Sequence, residues 1–325
     1  MNRPCGISFD IFRCLAFLAA CLVCSQAVAS ALKLEATIPL GAVAGRIDHL
    51  AVDAARKRLY VAELVNNRVA VIDLDARTVL RTLDNFLEPQ GIGYEPTTDT
   101  LYVANGGDGS VRLYSAATFE SIGRIELRDE ADNVRVDAAH GRVWVGYGSG
   151  LASIDVDTHA LRTFPLGGHP EAFRITPSQR VFVNVPRVHA VVVLAAGGRT
   201  RRLPIPIAGA NYPLAIDDGG RLLLPLRHPA HLLVMDEQGR HATANLCDDA
   251  DDAYVDARRK RLYVSCGDGH LDVFERSGTT YRRIDEVATA PNARTSLFVA
   301  DRDRLYLAVP ASDGTPAAVW IMKPI

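Results

Sequence analysis

The sequence predicts an all-β chain, a seven-bladed β-propeller in which the first strand after a leader closes the ring by completing the last blade. Three observations carry this expectation. A strand core recurs seven times at nearly constant spacing, each recurrence has the same flanking segments, and the two ends hold complementary parts of one blade. The cores are Leu59-Tyr60-Val61, Leu101-Tyr102-Val103, Val143-Trp144-Val145, Val181-Phe182-Val183, Leu222-Leu223-Leu224, Leu262-Tyr263-Val264 and Leu305-Tyr306-Leu307, at spacings of 42, 42, 38, 41, 40 and 43 residues.

Each core sits among other strand-like segments. In the first repeat an alternating stretch, His49-Leu50-Ala51-Val52-Asp53, precedes it. Val69-Ala70-Val71-Ile72-Asp73 and the more polar Val79-Leu80-Arg81-Thr82-Leu83 follow. Four strands in about 40 residues make one propeller blade, and a period of two along each strand suits sheets packed face to face around an axis. Helical periodicity is nowhere sustained. The seventh repeat ends at Trp320 to Ile325, one strand short. The chain after the leader has a strand to spare, Thr37-Ile38-Pro39-Leu40-Gly41, which resembles the fourth strand of the third repeat, Thr163-Phe164-Pro165-Leu166-Gly167. Pairing the two ends covers an edge that would otherwise template aggregation.

The leader has the form of a secretory signal over residues 1–31. Arg3 and Arg13 precede an apolar run from Cys14 to Cys24, too short to cross a bilayer, and Ala27-Val28-Ala29 and Ala29-Ser30-Ala31 both fit a signal-peptidase site. Leu18-Ala19-Ala20-Cys21 also fits a lipobox, so a lipoprotein is the alternative. The expected product is a periplasmic or secreted propeller of residues 32–325 with no transmembrane span. Four of the six cysteines fall in the leader, leaving Cys247 and Cys266. They flank the first two strands of the sixth repeat on one face, and export makes a disulfide between them the expectation.

With 48% hydrophobic residues the chain can bury a large core, and a formal charge of -2 offers no basic footprint for nucleic acid. The repeats resemble those of the YVTN-repeat, YncE-like group of bacterial propellers, most clearly at Leu101-Tyr102-Val103-Ala104-Asn105, Leu59-Tyr60-Val61-Ala62 and Leu262-Tyr263-Val264-Ser265. The resemblance spans the chain after the leader and implies a propeller and a binding role, without a ligand. Leu222 to Pro225 and Val181 to Val185 depart from the motif. No Trp-Asp dipeptide marks a WD-repeat protein.

In a propeller the first strand of each blade lies nearest the axis, so aligned repeats predict what lines the central funnel. Two positions before the first apolar residue of that strand stand Asp48, Gln90, Asp132, Glu171, Tyr212, Asp251 and Thr295; His49, Asn133 and Asp252 come next. Loops add Glu63, Asn105, Tyr147, Asn184, Arg187, Arg227, His228 and His270, with Arg46 and Arg294 supplying positive charge. A funnel of carboxylates, amides, imidazole and guanidinium is the default pocket. Asp48, His49, Gln90, Asn133, Glu171, Tyr212, Asp252 and Arg294 are its expected ligand-binding residues. Asp132, Glu171 and Asp251 are the expected ligands of a divalent cation, should the funnel hold one.

Other motifs carry less. Asp248 to Asp252 lacks the Gly and Glu of an EF-hand, and His228 with His231 falls short of a zinc set. Gly146 to Gly150 and Asn105 to Gly109 join strand to strand, so they are hairpin turns rather than phosphate cradles. No C-x-x-C-H haem motif occurs. Two functions remain open at this level. One is a binding or interaction module for a small polar ligand or another periplasmic protein; the other is a metal-dependent, lactonase-like hydrolase.

Overall fold

A computed structural model describes Met1 and residues 30–207, 209–312 and 314–325. The apolar leader and the Ala27-Val28-Ala29 motif lie outside the described residues. The rest forms seven antiparallel sheets of four strands each. The last sheet places Leu32–Gly41 against Ala317–Pro324, followed by Arg304–Val309 and Ser296–Val299. Its register runs from Leu32 opposite Pro324 to Gly41 opposite Ala317, so the first strand completes the seventh blade.

The reason is the burial pattern. The recurring cores are the second strands, and Tyr60, Tyr102, Tyr263 and Tyr306 are buried at their centres between neighbouring sheets. Seven apolar clusters form, in which residues of one sheet pack on those of the next. Fourth strands such as Thr78–Leu83 are largely exposed, which explains their polar composition. Ion pairs tie some blades at their rims. Arg56 bonds Asp53 at 2.9 Å and Asp99 of the next blade at 2.6 Å. Arg259 repeats this with Asp256 and Asp303 at the same distances.

Where the motif departs, the inner strands shorten. They cover only Phe173–Ile175 in blade four and Ala215–Ile216 in blade five. Pro170 and Pro213 precede them, and proline cannot donate to a ladder. No helix among the described residues is long and apolar enough to cross a membrane.

Candidate binding funnel

Strand register fixes which residues share a level around the axis. Leu50, Ile92, Val134, Phe173 and Ala253 pair with Val61, Val103, Val145, Val183 and Val264, the third residue of each core. Two residues earlier stand Asp48, Gln90, Asp132, Glu171 and Asp251, and Tyr212 falls there in blade five, where Ala215 pairs with Leu223. Blade seven corrects the sequence alignment. Ser296, opposite Leu307, fills the slot of Leu50, so Arg294 rather than Thr295 joins this ring.

Asp132 is the hub of one side. His49 Nε2 lies 3.7 Å from its Oδ1, and His169 Nε2 lies 3.7 Å from its Oδ2. The two imidazoles differ in charge. His169 Nδ1 is 3.0 Å from the carbonyl oxygen of Gly148, to which it must donate. With the Asp132 carboxylate facing its other nitrogen, the His169 pKa is raised to about 9 despite burial. Burial instead pushes His49 down to about 4, helped by Arg135, Arg46 and Arg174, so it is neutral near pH 7. Burial alone would push the Asp132 carboxyl up, but His169, His49 and Arg46 hold it below its ordinary range.

Other carboxyls are held up. Burial raises Glu171 to about 7, with Asp132 adding to it, and raises Asp252 to about 7, with Asp251 adding. Asp48, 1% exposed, is raised well above the ordinary range, again chiefly by burial. An Arg46 guanidinium nitrogen pairs with Asp48 Oδ2 at 2.8 Å, while the buried Asp48 Oδ1 receives no hydrogen bond. Asp132 Oδ1 and Asn133 Oδ1 are buried without a donor as well.

The opposite side is braced. Arg227 bonds Asp251 and, through Nε at 2.8 Å, the Ala250 carbonyl, while its guanidinium lies 3.9 Å over the Tyr212 ring. Arg294 bonds Asp249 and approaches Asp251 at 3.3 Å. Cys247 and Cys266 are joined in a disulfide, and the Cys247 N–H donates to buried Asp272 at 2.8 Å. Close packing sets the ring as well. A Cβ on Gly91, in the inner strand of blade two, would lie 2.0 Å from the Asp132 carbonyl oxygen. Gly91→Ala must therefore push blade two from blade three and is expected to cost about 1–3 kcal/mol or more. Urea denaturation checks this; an unchanged midpoint would contradict the packing.

Several expected funnel residues make hydrogen bonds or ion pairs within the chain. The Asn105 amide takes the Leu87 N–H and donates to the Val103 and Ser110 carbonyls. Asn184 donates to the Pro213 carbonyl, Glu63 pairs with Arg68, and Gln90 donates to Glu130 at 3.1 Å. Asp252 accepts the Ser296 N–H at 2.8 Å. Among the described residues, the donor oxygens of Asp132, Glu171 and Asp251 do not converge within 4.8 Å of one another. The one set that does, Cys247, Cys266 and Asp268, has both sulfurs in the disulfide. The mouth opens into a cavity of about 470 Å³ lined by Glu130, His169, Glu171 and Arg187. A larger cavity of about 680 Å³, lined by Arg221, Asp236 and Arg240, lies away from the axis between outer parts of blades five and six. The funnel is the better site, since its polar groups are buried and stand at one level around the axis.

His169 was not among the expected residues. It precedes Pro170 in a loop outside the aligned strands, and only its distance to Asp132 gives it away.

No family model matches the chain, and no curated protein matches it. Solved structures do. Virginiamycin B lyase from Staphylococcus aureus superposes with a TM-score of 0.75 at 10% identity, covering 90% of this chain and 100% of that one. A chain of the mitotic checkpoint complex gives 0.73 at 12%, with 98% of each chain covered. A chain of Kuenenia stuttgartiensis hydrazine synthase gives 0.67 at 14%, covering 80% and 91%. At these identities the likeness is one of fold.

Proposed function

We propose that the chain is an exported binding module of the YVTN-repeat, YncE-like kind, whose funnel mouth takes a small polar ligand that donates hydrogen bonds or carries positive charge. The observation that carries this is a set of buried acceptors that receive no hydrogen bond: Oδ1 of Asp48, of Asp132 and of Asn133. A buried acceptor left unpaired costs about 1–3 kcal/mol, which a donating ligand would recover. The charged His169 beside Asp132 and the Arg227 and Arg294 braces hold the rest of the ring in place.

Export rests on the leader, and the product would be periplasmic or secreted. Cleavage after Ala29 suits the closing strand, because the Ser30 hydroxyl and the Ala31 N–H both donate to Asp285, at 2.8 and 2.6 Å. The mass of the secreted chain tests the cleavage point. Calorimetric titration of that chain with ethanolamine, putrescine and glycerol tests the binding role. At least one probe should bind saturably and lose tenfold or more in affinity in Asp48→Asn or Asp132→Asn. Absence of binding by all three, or equal binding by both variants, would remove the reading.

A second reading is a metal-dependent, lactonase-like hydrolase using Asp132, Glu171 and Asp251. Glu171, with its pKa near 7 on the 470 Å³ cavity, favours it as a general base. It requires Asp251 to leave Arg227 and Arg294. A stoichiometric divalent ion that survives dialysis is the result this reading expects.

A further inference from the structure

The ring one level below the funnel mouth has the opposite chemistry. Residues paired with the central position of each core are Ala51, Gly93, Arg135, Arg174, Ala215, Tyr254 and Leu297. They stand three residues past the Asp48 ring, about 10 Å further along the strands. Five of the seven are small, aliphatic or aromatic, and the two guanidiniums come from adjacent blades.

Both arginines are partly buried, and Arg174 reaches across from blade four to blade six. Arg174 Nη2 donates to the Ala253 carbonyl of blade six at 2.9 Å, and its guanidinium lies 5.5 Å from the Tyr254 ring centre. Arg135 lies over the Phe173 ring at 5.7 Å and bonds only the Val134 carbonyl. Around the mouth, Arg46, Arg227 and Arg294 each have a carboxylate within 4.0 Å. Arg135 and Arg174 form no such ion pair among the described residues, although each feels the other's charge. Burial and the neighbouring Arg135 together lower the Arg174 pKa to about 10. The titratable groups that feel the charge of the pair are His49, Asp252 and Tyr254. His49 is uncharged near pH 7, and Asp252 is held to about 7 and occupied by Ser296.

Arg174 is reached from the other end of the molecule, and Arg135 stands at the same level in the neighbouring blade. Arg174 and Tyr254 line a cavity of about 570 Å³ with Thr176, Pro177, Asp217 and Asp218. These last four belong to the turns that follow the inner strands, on the face away from the funnel mouth.

We propose that the waist of the propeller is a second binding site, in which Arg135 and Arg174 hold a small oxyanion, a carboxylate, sulfate or phosphate group, beside Tyr254. Guanidinium donors in a partly desolvated passage suit planar or tetrahedral oxyanions, and two of them offset the charge of one such group. The site stands about 10 Å along the strands from the acceptor-rich mouth, and the proposal does not rest on the ligand read for that mouth.

Calorimetry and thermal melts of the processed chain with sodium sulfate, inorganic phosphate and malonate test this, at ionic strength held constant with sodium chloride. One anion per chain should bind saturably and raise the melting midpoint beyond the chloride control. Preference among the three anions separates a carboxylate from a phosphate or sulfate ligand. Arg135→Met and Arg174→Met should each weaken binding at least tenfold. Asp48→Asn, which disturbs the mouth, should leave it unchanged. If Arg174→Met fails to fold for want of its bond to Ala253, Arg135→Met carries the test, because that guanidinium bonds only its neighbour's carbonyl. Stabilisation no greater than that by chloride, or undiminished binding in folded Arg135→Met, would overturn the assignment.

Discussion

A chain begun at Ala42, without the closing strand, should lose cooperative folding or melt more than 10 °C below a chain begun at Ser30. Leu32, Ile38 and Leu40 are 1%, 0% and 7% exposed in that strand. At roughly 1.5–3 kcal/mol for each buried aliphatic side chain, their loss removes on the order of 5–9 kcal/mol. That is comparable to the whole stability of an ordinary domain, about 5–15 kcal/mol. The cut also strips the hydrogen-bonding edge from Ala317–Pro324, whose side chains are mostly buried, and frees Arg304 from Glu35, its partner at 2.6 Å. An exposed apolar edge recruits other chains, so aggregation on size exclusion should accompany the lower midpoint. A peptide of residues 30–41 added in trans should restore part of the loss. A truncated chain that stays monomeric and melts within about 2 °C of its parent would show that the ring does not need this closure.

The same closure was legible in the sequence, and the physics explains why. Second strands are buried on both faces, so the Leu-Tyr-Val cores are constrained and recur visibly; the mean spacing then sets the blade count. The Asp48, Gln90, Asp132, Glu171 and Asp251 ring followed from counting back from those strands. Blade seven broke the count because Ser296 fills an apolar slot, its hydroxyl satisfied by Ser265 at 2.8 Å. Counting from Leu297 instead put Thr295 where Arg294 stands. The charge states were not legible. His49 and His169 lie equally far from Asp132, yet the carboxylate raises His169 while burial, with Arg135, Arg46 and Arg174 nearby, keeps His49 neutral. Arg135 and Arg174 were in plain register with the acidic ring, but the pattern of one repeat cannot show that two guanidiniums from adjacent blades lack carboxylate partners. Asn105 was expected near the funnel mouth, and its amide is taken up by the neighbouring backbone, which a strand-end amide can satisfy as readily as it can a ligand.

Replacement of Asp252 by Asn should stabilise the chain at pH 8 and leave it nearly unchanged at pH 4. The Asp252 carboxyl, 3% exposed, is raised from 3.8 to about 7 by burial, with Asp251 adding to it. Below pH 3.8 it is protonated in folded and unfolded chains alike and costs nothing. Between 3.8 and 7 the unfolded chain releases the proton that the folded chain retains, so stability falls as pH rises. Above 7 the loss is complete, at most about 4 kcal/mol when each tenfold gain in proton affinity counts as about 1.4 kcal/mol. Asp252→Asn removes this dependence while its amide oxygen can still accept the Ser296 N–H. For a chain of this size the gain at pH 8 corresponds to several degrees in melting midpoint, at roughly 2 °C per kcal/mol. The histidines act in other windows. His169, raised to about 9, stabilises below 6.5 and loses that contribution as pH rises through 9; His49, lowered to about 4, loses its contribution as pH falls from 6.5 to 4. Melts of both chains at pH 4, 6 and 8 separate these effects, because only the difference between the two chains reports Asp252. A difference that stays constant across the three pH values would mean that Asp252 is ionised throughout. The acidic funnel would then carry one more fixed negative charge beside Arg135 and Arg174 than its burial predicts.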